Sequence, residues 1–223
     1  RSRDGKAWIV YNGEMYNFQL LRSVLRDRGH SFETGTDTEV ILAAYSEWGF
    51  DCVDHFDGMW AFVIYDVAKN ILFGSRDRFG VKPLYYVIRD DLFAFASEIK
   101  ALVSLPNIPS CARVEAIYEY IALGRDSWND GTTFFQGISE LPPAHAFTVH
   151  LDSGEFSSYR YYELPIATDN EKFDERRALE HVNVLRAAIV DSIRRHLISD
   201  VDVGACLSGG IDSSTVVALM QRL

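Results

Sequence analysis

The amino-acid sequence predicts an α+β fold for residues 1–164, followed by the start of an α/β domain. In the first part, short β-prone runs joined by turn residues accompany segments of helical periodicity, which is typical of antiparallel sheets covered by helices. From residue 174, a helical segment, a short β-prone run, a glycine-rich turn and a second helical segment follow one another. That order is typical of the opening of a parallel α/β domain.

Short β-prone runs are predicted to form the strands. Residues 7–11 (AWIVY) are rich in aromatic and β-branched side chains, and the turn dipeptide Asn12-Gly13 is predicted to end this strand. Turn sequences such as DVAKN and SRDRFGVKP separate the later runs, which favours antiparallel hairpins. The later strands are predicted at residues 60–65, 71–74, 84–88, 92–96, 146–151, 159–162 and 201–207.

Helices are predicted where apolar residues recur three or four positions apart. Asp37 stands at the start of the second helix, where its carboxylate could cap unpaired backbone N–H groups. Residues 165–173 are polar, have no periodicity and are predicted to link two domains, 1–164 and 174–223. The predicted helices cover residues 18–28, 37–48, 114–123, 174–196 and 215–223.

Composition narrows the class of protein. The formal net charge of −10 disfavours a surface that follows nucleic-acid phosphates, so no nucleic-acid partner is expected. Three cysteines without a CxxC pair argue against a disulfide framework and a structural zinc site. The longest apolar run, residues 59–65, has seven residues, whereas a membrane helix needs about 20. A cytoplasmic protein with no membrane partner is therefore expected.

The glycine-rich turn at residues 208–213 (SGGIDS) has the chemistry of a pyrophosphate-binding loop. Two glycines let the backbone approach a ligand closely, and the N-terminus of the following helix favours an anion. Ser208 and Ser213 could donate hydroxyl hydrogen bonds, and Asp212 could hold a divalent cation. The simpler alternative is a tight turn with a helix cap. The loop lacks the Gly-Lys-Ser/Thr ending of a Walker A loop.

The order Ser-Gly-Gly-x-Asp-Ser resembles the PP-loop of the ATP pyrophosphatases, which cleave ATP to AMP and pyrophosphate while adenylating a substrate. Six further segments precede this loop: YNGEMYN (11–17), TGTDTEVIL (34–42), DGMWAFVIYD (57–66), SRDRFGVKPLYY (75–86), ASEIKAL (96–102) and ELPPAH (140–145). Together with the loop, these segments resemble the glutamine-dependent asparagine synthetases over residues 8–223. Those enzymes join a class II glutamine amidotransferase domain to a PP-loop synthetase domain.

The resemblance implies a fold and a reaction. Residues 1–164 would form an incomplete four-layer αββα glutaminase of the Ntn-hydrolase type. Glutamine would be hydrolysed to ammonia through a thioester, and ammonia would pass through a tunnel to β-aspartyl-AMP, giving asparagine. The substrates would be glutamine, aspartate and ATP, with Mg²⁺ as the metal, and the full-length enzyme is expected to be a homodimer.

Residue roles follow from the same resemblance. The Asn12 side chain and the Gly13 backbone N–H would form the oxyanion hole, a pairing of donors that suits acyl transfer. Glu14 and Asp37 would bind the α-amino group of glutamine. Taken alone, a hairpin turn at Asn12-Gly13 and a helix cap at Asp37 are the simpler alternatives. ATP would contact Leu207, Ser208, Gly209, Gly210, Asp212 and Ser213, with Asp212 also a magnesium ligand.

The family's nucleophile is an N-terminal cysteine activated by its own α-amino group, whereas residue 1 here is Arg1. The first cysteine, Cys52, lies deep in the chain and is excluded as the nucleophile. We therefore expect a piece of a normal enzyme, cut at both ends. The alternative is a relative that has lost its nucleophile, as in the β-lactam synthetases. The acceptor also stays open, because other relatives amidate sugars or peptides. A PP-loop enzyme acting on transfer RNA and a non-catalytic interaction module are less favoured.

The 223-residue chain by itself is expected to release no ammonia from glutamine, because it has no N-terminal cysteine. An enzymatic ammonia assay on the purified chain checks this. Hydrolysis above the buffer blank would contradict the expectation.

Overall fold

The computed structural model describes residues 1–89, 91–126, 128, 130–166, 174–199 and 201–223. The chain forms two compact units, Arg1–Leu164 and Pro165–Leu223. Most of the predicted linker, residues 167–173, lies outside the described residues. Among the helices that are described, none is both long and apolar enough to span a membrane.

The first unit is built from antiparallel strands and a smaller number of helices. Its strands are β1 (Ala7–Met15), β2 (Gly58–Asp66), β3 (Ile71–Arg76), β4 (Tyr85–Arg89), β5 (Leu92–Ala96), β6 (Ser139–Glu140), β7 (His145–His150) and β8 (Phe156–Arg160). Its helices are α1 (Phe18–Asp27), α2 (Asp37–Trp48), α3 (Ile99–Val103) and α4 (Val114–Leu123), with a 3₁₀ segment at Gly49–His55.

The strands form two sheets, ordered β1-β2-β3-β7-β8 and β5-β4-β6. Side chains alternate along β2, so that Phe62 joins the core beneath α1 and α2 while Ala61 and Val63 join the core between the sheets. On the outer side of the second sheet, Val87 packs with Leu102 of α3. The layers are therefore helix, sheet, sheet and helix, which confirms the predicted α+β fold with αββα layering.

Local patterns predicted most elements of this unit well. The β2–β3 and β4–β5 hairpins are antiparallel as expected, and α4 has the predicted bounds of 114–123. The prediction that Asn12-Gly13 ends the first strand is wrong, because β1 continues to Met15. Asn12 and Gly13 lie opposite Ala61 and Trp60 of β2. Glycine is required here by the close neighbouring strand, since a Cβ on Gly13 would lie 2.2 Å from the Met59 carbonyl oxygen.

The second unit contains α5 (Glu175–His196) and α6 (Ile211–Met220). Asp174 caps α5 by accepting a hydrogen bond from the Arg177 N–H at 2.9 Å. The predicted strand at 201–207 does not form, and no strand is found in the described part of this unit to pair with it. A parallel strand depends on hydrogen bonds from neighbouring strands, so an extended segment without them is no strand. Cys206, which the predicted strand at 201–207 would contain, is exposed.

Candidate active site

The direction of the backbone along β1 places one N–H donor on an open sheet edge. β1 is the edge strand of the five-stranded sheet among the described residues. The Met15 N–H donates to Asp37 Oδ2 at 3.1 Å, away from β2. In an antiparallel pair every second residue directs its N–H to the same side, so Gly13 also directs its N–H to the open edge. Trp60, opposite Gly13, agrees with this pattern because its N–H donates to Asp77 on the far side.

Side-chain alternation along β1 places Asn12 on the face opposite the one covered by the helices. Tyr11 and Met15 pack with the core beneath the helices, so Asn12 and Glu14 point toward the side of the second sheet. The Asn12 Nδ2 donates to Ser97 Oγ at 3.1 Å, and Ser97 directly follows β5 of that sheet. An amide NH₂ has two hydrogens, so the bond to Ser97 uses one of them, and Gly13 with its edge-facing N–H is the next residue along β1. Two neighbouring donors of this kind can stabilise an oxyanion.

Asp37 lies at the start of α2 but does not cap it. The N-cap residue is Thr36, and no side chain hydrogen bond caps this helix; the predicted capping role of Asp37 is therefore wrong. Its Oδ2 instead accepts from the Tyr11 hydroxyl at 2.9 Å and from the Met15 N–H at 3.1 Å. The carboxylate is thereby bound to β1 on both sides of the 12–14 segment, where it can receive an ammonium group.

Tyr11 is a site residue that sequence reasoning missed. Burial, together with the negative charges of Asp37 and Glu14, raises the pKa of its phenol far above the ordinary value. The hydroxyl therefore stays protonated and serves as a donor to Asp37. The period-2 alternation of β1 is the signal that could have placed Tyr11 on the helix side, next to α2.

The loop before α2 is fixed by two side chains. Arg22 donates to the carbonyl oxygens of Thr34 and Thr36 at 2.9 and 2.8 Å. Glu39 accepts from the backbone N–H groups of Glu33 and Thr34, each at 2.8 Å. Partial burial acts to raise the pKa of Glu39, but these hydrogen bonds and the charge of Arg22 outweigh it and lower that pKa. The start of α2, and with it Asp37, is held in place as a result.

Cys52 is fully buried in the 3₁₀ segment. Burial raises the pKa of its thiol well above the ordinary value, so it stays neutral. The structure thus agrees with the exclusion of Cys52 as a nucleophile.

The glycine-rich turn of the second unit precedes α6. Gly209 has φ of +84°, a conformation that glycine adopts without strain. Gly210 is the N-cap of α6, so the helix begins at Ile211, four residues before the prediction. Ser208 Oγ lies 3.0 Å from Ser213 Oγ, across the turn. The loop therefore combines two hydroxyls with a helix N-terminus, a donor set that fits a pyrophosphate group.

Asp212 lies in the first turn of α6 and is exposed, as is Leu207 just before the loop. Within the described residues, no group of three or more His, Cys, Asp or Glu side chains could hold a metal ion. If Asp212 holds Mg²⁺, the other oxygen ligands must therefore come from elsewhere, for example from phosphates.

Two antiparallel sheets between helix layers are the architecture expected of a glutamine amidotransferase domain. A family model described as a glutamine amidotransferase domain matches residues 1–162, and a model described as asparagine synthase matches residues 184–223. The chain therefore belongs to the glutamine amidotransferase domain family, and its last 40 residues are similar to asparagine synthase.

Similar proteins agree with this assignment. Asparagine synthetase [glutamine-hydrolyzing] 3 of Bacillus subtilis is 44% identical over 95% of this chain and 33% of its own length. A putative asparagine synthetase 2 of Methanocaldococcus jannaschii is 40% identical over 96% of this chain and 40% of its own length. The chain thus spans less than half the length of these relatives. The solved structure of an allosteric regulatory enzyme of purine biosynthesis is 21% identical, covers 73% of this chain and 30% of its own, and shares the fold with a TM-score of 0.50.

Proposed function

We propose that this chain works within a glutamine-hydrolysing asparagine synthetase. Residues 1–164 supply the glutaminase site, and residues 174–223 begin the synthetase domain. The observation that carries the glutaminase assignment is the arrangement of two successive donors on β1: the Gly13 N–H faces the open edge, and the amide of Asn12, the preceding residue, donates to Ser97. The two asparagine synthetases described above, at 44% and 40% identity, support asparagine synthesis over another acceptor.

In this proposal the two donors stabilise the oxyanion that forms when the glutamine amide carbon is attacked. An oxyanion forms only as the carbonyl becomes tetrahedral, so the donors act mainly on the transition state. Asp37 and Glu14 hold the α-amino group of glutamine and so fix the position of its amide. The hydrogen bonds from Tyr11 and Met15 fix the Asp37 carboxylate for this task.

The glycine-rich loop binds the phosphates of ATP. The hydroxyls of Ser208 and Ser213 and the backbone N–H groups at the start of α6 contact the phosphate oxygens, and the turn at Gly209 and Gly210 allows the close approach. Asp212 would be the residue that holds Mg²⁺, which would supply positive charge against the phosphates of ATP. Adenylation of aspartate gives β-aspartyl-AMP, from which AMP leaves when ammonia attacks the carbonyl carbon.

The protein encoded by the complete gene tests this proposal. Incubation with glutamine, aspartate, ATP and Mg²⁺ is expected to give asparagine, glutamate, AMP and pyrophosphate in equal amounts. Glutamate without asparagine would support the glutaminase assignment but contradict aspartate as the acceptor; the reaction would then be amidation of a sugar or peptide, or a ring closure. Neither product would overturn the proposal.

Replacing Asp37 by asparagine in that protein is expected to raise the KM for glutamine about 10- to 100-fold, because a charge-assisted hydrogen bond to the ammonium group contributes roughly 1.5–3 kcal/mol. Steady-state glutaminase kinetics measure the change. Synthesis with ammonium chloride in place of glutamine is expected to stay at the wild-type rate.

The matched control is Asp27→Asn, at the exposed end of α1. An unchanged KM in the Asp37→Asn variant would remove Asp37 from the glutamine site.

A further inference from the structure

We propose that Ser97 is a positioning residue for glutamine hydrolysis, which holds the Asn12 amide so that it donates to the oxyanion. This inference rests on the proposed glutaminase function. It starts from one contact between distant parts of the chain: Asn12 Nδ2 donates to Ser97 Oγ at 3.1 Å, across 85 residues of sequence. Both side chains are half-buried.

The Ser97 hydroxyl is itself carried by fixed backbone. Ala96, the residue before it, ends β5 and pairs with Tyr85 of β4. Glu98, the residue after it, is the N-cap of α3, and its carbonyl oxygen accepts from the Ala101 N–H at 3.1 Å. A hydroxyl between a paired strand and a helix start has little freedom to move. The second sheet therefore sets the position of an amide that belongs to the first sheet.

The contact matters because an asparagine amide can rotate. Rotation by about 180° about χ2 exchanges the NH₂ group and the carbonyl oxygen. With Nδ2 bound to Ser97, one hydrogen of the NH₂ is used and the second remains for the oxyanion. With the amide reversed, a carbonyl oxygen would face the developing negative charge and repel it. A serine hydroxyl can bond either end of an amide; in the structure Ser97 accepts from Nδ2, which holds the amide in place with its second N–H left for the oxyanion.

Removing the hydroxyl should therefore act on the chemical step. Loss of one complete oxyanion donor costs roughly 10²–10³ in kcat. Loss of its orientation alone is expected to cost part of that, about 10- to 50-fold. The KM for glutamine should change less than about 2-fold, since the donor acts in the transition state and not on the bound ground state. A merely structural serine would not separate kcat from KM in this way.

The experiment uses the protein encoded by the complete gene. Ser97→Ala is expected to lower the glutaminase kcat with little change in KM, to leave ammonia-dependent asparagine synthesis unchanged, and to be rescued substantially by Ser97→Thr, which keeps the hydroxyl. Adding Ser97→Ala to an Asn12→Ala variant should cost almost nothing further, because the residue acts through Asn12.

A wild-type kcat in Ser97→Ala, or equal losses in the presence and absence of Asn12, would overturn the role of Ser97 alone. A wild-type protein without glutaminase activity would overturn the proposed function and this role with it. Should Ser97→Ala also lower ammonia-dependent synthesis, Ser97→Cys decides: it keeps the volume of the side chain and weakens the acceptor, so its kcat should fall while synthesis from ammonia is retained.

Discussion

Replacing Gly13 by alanine is expected to abolish glutamine hydrolysis and to lower the free energy of unfolding by about 3 kcal/mol. The added Cβ would lie 2.2 Å from the Met59 carbonyl oxygen and 2.8 Å from the Trp60 Cα. Both atoms belong to the backbone of β2, so no side-chain rotation can relieve the overlap. β1 would have to shift away from β2, which moves the Gly13 N–H and the Asn12 amide from their places together.

Urea unfolding of the 223-residue chain measures the stability, and glutaminase kinetics of the complete protein measure the activity. Gly35→Ala is the matched control for stability, since no atom lies within 4 Å of its Cβ position and its φ is not positive. It should change the unfolding free energy by less than about 0.5 kcal/mol. A Gly13→Ala chain that unfolds like the wild type would show that β1 can adapt, and would contradict the close approach described for this pair.

Replacing Asp77 by alanine is expected to destabilise the first unit by about 4 kcal/mol, because several hydrogen bonds to a charged acceptor are lost and each contributes roughly 1.5–3 kcal/mol. Its carboxylate is almost fully buried, at 1% exposure. It accepts four backbone hydrogen bonds at 2.9–3.3 Å, so the variant would leave one buried and three part-buried donors without this acceptor. The donors are the N–H groups of Trp60, Phe79, Val81 and Lys82.

The urea midpoint of the 223-residue chain is the measurement. Asp77→Asn keeps one side-chain acceptor oxygen and should lose roughly half as much stability as Asp77→Ala. Asp126→Ala removes an exposed carboxylate and should stay within about 0.5 kcal/mol of the wild type. A loss below about 1 kcal/mol in Asp77→Ala would mean that the turn after β3 does not depend on this carboxylate.

The helices and hairpins of the first unit could be predicted because their patterns are local. Apolar spacing within ten residues defines α4, and turn residues between β-prone runs define the hairpins. The strand at 201–207 could not be decided in the same way. Its residue types favour a strand, but a parallel strand exists only through hydrogen bonds to its neighbours, and the described part of the second unit offers none.

The sequence by itself determined the family, through two sets of motifs in one order, and it determined which residue types are present at Asn12, Gly13 and Asp37. The tertiary structure alone decided where these residues lie and what they contact. Local sequence predicts a turn at Asn12-Gly13, whereas pairing with β2 makes both residues part of a strand. Local sequence likewise predicts a helix cap at Asp37, whereas its carboxylate accepts from the Tyr11 hydroxyl at 2.9 Å. The partner of Asn12 lies 85 residues away. Local spacing reports neighbours along the chain, whereas sheet register and packing bring together residues whose distance in sequence carries no such signal.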